Sequence, residues 1–169
     1  KYVGDEVMAL FGAPIEKKES ALEAIKCGID IVESLKKWNR EKEGHQIEMG
    51  IGIHSGEAVV GNIGSSRKVK WGVIGDAVNM TARIESLTIG TQILISGDLL
   101  NLVEPHVETS DRKQVKVKGR TRFLEVGELF AIPGDGISMP KAVLHPLIET
   151  KRAAEVYRLE GKVLAEESF

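Results

Sequence analysis

Apolar residues at positions 22, 25, 29, 32, 35 and 38 recur every three or four residues, the period of one helix face. Ser20 and Glu23 stand before that run in the spacing of a capping box, and Gly44 follows it, so a helix is predicted from Ser20 to just before Gly44. From 47 to 53 the pattern changes to strict alternation. Ile47, Met49, Ile51 and Ile53 point to one side, while Glu48, Gly50, Gly52 and His54 point to the other. This predicts a strand with one buried face and one face stripped of side chains, against which either a backbone or a ligand packs closely. Two more strands are predicted at 57–63 and 69–74, joined by a polar turn at 64–67. Asp76 opens a second helix running to about Leu87.

The remaining pattern predicts a strand at 91–96, a short helix at 97–103, and strands at 108–118 and 123–130 that turn at Gly119-Arg120. At the other end, 1–3 and 7–11 are β-like and flank Gly4-Asp5-Glu6, a tight hairpin with an acidic tip. Helices and hairpins interleave. The expected class is α+β, with helices on one face of a mainly antiparallel sheet. Domain limits are drawn at 1–132 for a folded unit, 133–148 for a Pro- and Gly-rich linker and 149–169 for an extension. The stripe Ala153, Val156, Leu159 and Val163 predicts a charged helix over 149–167 in that extension.

Composition narrows the function classes. The 169 residues carry 23 basic and 25 acidic side chains, a net charge of −2, which disfavours a nucleic-acid binder. No run of about 18 apolar residues exists to cross a membrane. Cys27 is the one cysteine, so neither a disulfide framework nor a Cys-rich zinc site is available, and a reducing, cytoplasmic setting is expected. Within its helix Cys27 is read as a buried, inert thiol. The four histidines, His45, His54, His106 and His145, lack ligand spacing. Neither a P-loop nor a dinucleotide-binding glycine motif is present. The opening residue is Lys1, and the chain is read as a fragment of a longer protein.

Two segments carry candidate chemistry. Asp5 sits at a hairpin tip, where it is either a turn former or a hard-cation ligand. On the helix from Asp76, Ala77, Met80, Ile84 and Leu87 share an apolar face. Asn79, Arg83 and Ser86 share the opposite one, as a solvated stripe or as an amide and a guanidinium aimed together at an oxyanion.

These segments resemble the class III nucleotidyl cyclases, the adenylate and guanylate cyclase catalytic domain. The matching stretches are 1–14, beginning KYVGDEVMALFG; 51–64, IGIHSGEAVVGNIG; 73–86, VIGDAVNMTARIES; 92–96, QILIS; and 117–119, VKG. They stand in family order. The resemblance implies a ferredoxin-like core and attack of a ribose 3′-oxygen on the α-phosphorus of a nucleoside triphosphate. It also implies two Mg²⁺ or Mn²⁺ ions per complete site, held by two aspartates. Asp5 matches the second aspartate. The first belongs to a strand ahead of Lys1, so this chain is expected to lack it and to be poorly active alone. By resemblance, Asn79 orients the ribose, Arg83 stabilises the transition state and Lys118 meets the terminal phosphates. Lys1 falls where adenylate cyclases carry a lysine that donates to adenine. Gly72 falls where the partner base reader is commonly aspartate or threonine, or cysteine in guanylate cyclases.

The expected function is therefore an adenylate cyclase making 3′,5′-cyclic AMP and pyrophosphate from ATP, as a homodimer with its sites at the interface. The alternatives are a guanylate cyclase and a catalytically silent homology module. A silent copy would be expected to lose its motif residues, whereas Asp5, Asn79, Arg83 and Lys118 are all present.

Overall fold

A computed structural model describes residues 1–42, 44, 46–117, 122–134 and 156–158. Its first elements are strands β1 (Tyr2–Val3) and β2 (Glu6–Val7), paired antiparallel with Tyr2 opposite Val7. The turn between them uses Gly4 at φ 64°, a left-handed conformation that glycine reaches without steric cost. Helix α1 (Ser20–Glu41) follows. Its cap is Glu19, with no side-chain cap bond, rather than the predicted Ser20 box. Glu23 pairs instead with Lys17 at 3.3 Å. Ser20 lies against Gly12, where an added Cβ would come within 3.0 Å of its hydroxyl oxygen.

The predicted strand at 47–53 is regular only in β3 (Ile51–Ile53). The Asn39 side chain explains the shortening. Its Nδ2 donates to Ile47 O at 2.8 Å and its Oδ1 accepts from Ile47 N at 3.0 Å, so a helix side chain takes the bonds a neighbouring strand would need. Ile47 and Met49, expected to be buried, are exposed.

Strands β4 (Val59–Ser65) and β5 (Lys68–Ile74) form a two-stranded ribbon in register from Val59↔Ile74 to Ser65↔Lys68. The ribbon runs directly into helix α2 (Asp76–Glu85). Strand β6 (Ile93–Ser96) enters helix α3 (Gly97–Val103), followed by a 3-10 turn at Glu104–His106. Strands β7 (Glu108–Thr109), β8 (Lys113–Val115), β9 (Leu124–Ala131) and β10 (Val156–Arg158) complete the described elements. The main sheet has the order β10-β8-β9-β6-β3, with β7 also on β9. Its β3–β6 pair is parallel and its other pairs are antiparallel. The fold is α+β, as expected.

Further expectations change. The strand predicted over 108–118 is broken, because Ser110 uses its hydroxyl in place of a main-chain acceptor. Glu128 N donates to Ser110 Oγ at 2.9 Å, and Ser110 N donates to Glu128 O at 2.9 Å. The helices lie on both faces of the sheet, not one. Ile93 and Ile95 of β6 pack with Ile25, Ile29 and Val32 of α1 and Leu99 and Leu100 of α3, while Leu94 packs with Ile84 of α2. Side chains alternate along a strand, so odd and even positions of β6 feed opposite layers. Finally, within the helix predicted over 149–167, Val156–Arg158 is a strand on the free side of β8, with Val156 opposite Val115. The rest of that predicted helix and the linker beyond Gly134 lie outside the described residues. Cys27 is half-buried rather than buried.

Candidate active site

Helix α2 is held by what it buries. Met80 and Ile84 lie in the core, and full burial of side chains this size contributes roughly 1.5–3 kcal/mol each. The stripped face of β3 receives the helix backbone. A Cβ at Gly52 would lie 2.7 Å from Glu85 Cα and collide with Glu85 N, and one at Gly50 would collide with Thr88. Of the two packing partners left open by the glycines, the helix backbone meets Gly52, while at Gly50 it is the Thr88 side chain that packs close.

Fixed in this way, α2 turns Asn79 outward, with Arg83 half-buried one turn later. Ser86 Oγ donates to Arg83 O at 2.8 Å and Thr81 Oγ1 donates to Ala77 O at 2.9 Å, tying side chains back onto the helix. Among the described residues the Arg83 guanidinium has no ion-pair partner, so its charge is available to an oxyanion. Gly72 stands on β5, two residues before its end, opposite Gly61. An added Cβ there would meet Ile63 Cδ1 at 3.7 Å, ordinary contact, so the position has room for a side chain.

Lys1 and Asp5 belong to the β1–β2 hairpin and both are exposed. Lys1 N donates to Met8 O and Met8 N donates to Lys1 O, each at 2.9 Å, which fixes the open end of the hairpin. The structure thus groups Asn79, Arg83 and Gly72 on one continuous stretch, and Lys1 and Asp5 on another. No strand pairing among the described residues joins the two groups. Lys118 lies outside the described residues. Asp5 is a hard oxygen donor suited to Mg²⁺ or Mn²⁺. Among the described residues, however, no group of three or more His, Cys, Asp or Glu side chains could hold a metal ion. The described donors therefore do not fit a two-ion centre by themselves.

Two polar features near α2 had little sequence signal. His54 Nδ1 lies 2.9 Å from Ser96 Oγ, a partner 42 residues away, and Ser96 is fully buried. The sequence hint was the place of His54 on the glycine face of the alternation. Glu128, on β9, is also buried, and its Oε2 has no hydrogen-bond partner among the described residues. Burial pushes the Glu128 carboxyl above its usual range, against the lowering effects of a Gln92 hydrogen bond and the nearby Lys113 charge. Gln92 Oε1 accepts from Ile89 N at 3.2 Å, so this pair braces the connection from α2 to β6.

Residues 1–130 match the family described as the adenylate and guanylate cyclase catalytic domain. An adenylate cyclase of Anabaena cylindrica is 36% identical over 143 residues, covering 78% of this chain and 28% of the relative. Adenylate cyclase 1 of Rhizobium meliloti is 28% identical over 137 residues, covering 78% of this chain and 21% of the relative. The chain thus spans less than a third of the length of these two curated relatives. Among solved structures, the guanylyl cyclase Cya2 superposes with a TM-score of 0.73 at 37% identity, over 80% of this chain and 74% of that one. The adenylyl cyclase CyaB from P. aeruginosa gives a TM-score of 0.73 at 30% identity, over 80% and 72%.

Proposed function

The chain belongs to the adenylate and guanylate cyclase catalytic domain family, and from that premise we propose that it converts ATP to 3′,5′-cyclic AMP and pyrophosphate. In that reaction the ribose 3′-hydroxyl gives up its proton and its oxygen bonds to the α-phosphorus. The bond from the α-phosphorus to the bridging oxygen breaks, and pyrophosphate leaves with the electron pair. Asn79 orients the ribose by hydrogen bonding. Arg83 stabilises the charge that grows on the α-phosphoryl oxygens, and Lys118 meets the terminal phosphates. Asp5 is the described carboxylate that could contact a divalent ion carried with the triphosphate; such an ion would supply further charge neutralisation.

The observation that carries this reading is the anchored α2, which holds, one turn apart, an amide and a guanidinium without an ion-pair partner among the described residues. Preorganisation of this kind accelerates phosphoryl transfer because the donors need not reorganise as charge develops.

Lys1 supports ATP as the base-read substrate. The guanylate alternative has its own support. Gly72 offers no side chain to the base, and the similar structure Cya2 is a guanylyl cyclase. The partner is a second copy of this chain, with the site divided between protomers. Two features support that division. Asp5 and Lys1 lie on a different sheet from the ribbon and α2. The ribbon also presents Val59, Val69, Trp71 and Ile74 to solvent, with Trp71 56% exposed.

The test is complementation in the protein that contains this chain. Asp5→Ala and Arg83→Ala should each lower cyclic nucleotide formation by roughly a hundredfold or more, and mixing the two should restore part of it through one intact site per heterodimer. Proven heterodimers that stay inactive would refute the divided site.

A further inference from the structure

We infer that His54 is a positioning residue for the reaction: anchored by buried Ser96, its imidazole sets the height of Gly56 and thereby the first turn of α2, which carries Asn79. The inference rests on the cyclase reading for the roles of Asn79 and Arg83.

The strand register brings the anchor together. Ile53 of β3 lies opposite Ile95 of β6 in the parallel pair, so His54 and Ser96 emerge side by side where the two strands end. Ser96 caps α3, its Oγ accepting from Leu99 N at 3.2 Å. The same Oγ lies 2.9 Å from His54 Nδ1, so the hydroxyl joins the imidazole to the capped amide of α3. A fully buried serine on a core strand is a stiff anchor.

On its far side the ring meets Gly56. A Cβ built there would lie 2.9 Å from His54 Nε2 and 3.0 Å from Ala77 Cβ. Imidazole, Gly56 and Ala77 are therefore stacked with no space for one methyl group. A second contact closes the same seam, since a Cβ at Gly75 would lie 3.0 Å from both Ala58 Cα and Glu57 O. The connection from β3 to β4 is thus a wedge with His54 beneath it and the start of α2 above it.

The α2 N-cap is Gly75, with no side-chain cap bond, and the buried anchors Met80 and Ile84 lie in the middle and last turn. Those anchors fix the roll of the helix, whereas the wedge fixes its first turn. Because β4 leaves the wedge and β5 returns into Gly75, a load on the ribbon reaches α2 through the same contact. Displacement here acts on Asn79 before it acts on Arg83, and a shift of about 1 Å in a positioning group can cost on the order of a hundredfold in rate.

The experiment combines kinetics with hydrogen exchange in the protein that contains this chain, using ATP with Mn²⁺. His54→Phe keeps a ring but gives Ser96 no hydrogen-bonding partner. His54→Asn keeps a hydrogen-bonding side chain but removes most of the wedge. Gly56→Ala overfills the seam from the other side. Expected results are a kcat about ten- to a hundredfold lower in His54→Phe with KM within about twofold, and an intermediate loss in His54→Asn. Amide exchange should quicken over 75–81 while 83–87 stays as in the wild type. If His54→Phe fails to fold, His54→Asn and Gly56→Ala decide the matter by the same two readouts. Unchanged exchange over 75–81 in the folded variants overturns the wedge. Faster exchange there with wild-type kcat overturns the positioning role. A wild-type protein with no nucleotide cyclisation refutes the cyclase reading instead, and the exchange data still decide whether His54 holds the first turn of α2.

Discussion

Replacing Gly52 by alanine puts a methyl group where helix α2 already lies. The new Cβ would stand 2.7 Å from Glu85 Cα and 2.9 Å from Glu85 Cβ. Carbon atoms in comfortable contact sit about 3.5–4.0 Å apart, so the helix must retreat by roughly 1 Å. It cannot do so freely, because Ile84, the preceding residue, is fully buried against Leu94, Val115 and Val126. Overpacking of this kind typically costs about 1–3 kcal/mol. For a chain of this size each kcal/mol lowers Tm by roughly 2–4 °C, which predicts a loss of about 2–12 °C. The retreat also carries Arg83, two residues before Glu85, so kcat should fall by up to about a hundredfold. Gly72→Ala is the matched control. Its Cβ meets only Ile63 Cδ1, at 3.7 Å, and glycine in a strand is a poorer choice than alanine by roughly 0.5–1 kcal/mol, so Tm should hold or rise. Thermal melts and ATP turnover of both variants check the pair. A Gly52→Ala protein that melts with the wild type and turns over normally would refute the close approach of α2 to β3 and the reasoning built on it.

Glu128→Gln tests the buried carboxyl. A raised pKa in the fold means the folded state holds that proton more tightly than the unfolded chain, so wild-type stability should fall as pH climbs from the ordinary glutamate range through the raised folded value. The glutamine variant should lose that slope, and chemical denaturation across the window checks it; parallel pH profiles would refute burial as the cause. Lys1→Glu should erode ATP turnover more than it creates GTP turnover, because Gly72 supplies no side chain to the new base. Unchanged kcat/KM for both nucleotides would show that Lys1 does not read the base. Arg83→Ala should lower kcat by roughly a hundred- to a thousandfold, the usual cost of one preorganised donor, with KM little changed; a rise in KM at constant kcat would make it a ground-state contact instead.

Local pattern alone determined much of this chain. The 3.6-residue period placed α1 and the buried face of α2, Gly4 placed the first hairpin, the two β-like runs placed the ribbon although its turn is tighter than the expected 64–67 because Gly64 and Ser65 pair within β4, and the ordered motifs put Asn79 and Arg83 four residues apart on one helix face. Those are short-range properties: period, turn chemistry and spacing travel with the sequence. The tertiary structure decided what depends on partners far along the chain. Asn39 takes the backbone bonds of Ile47 and cuts β3 short, Ser110 breaks the strand before β8, and Val156–Arg158 pairs with the free edge of β8 where apolar periodicity pointed to a helix. The glycine face of β3 announced a close neighbour, but only packing revealed that the neighbour is the backbone of α2. His54 was one unremarkable histidine among four. Its place beside Ser96 follows from a parallel register that joins residues 42 positions apart, and no local pattern encodes a pairing at that distance.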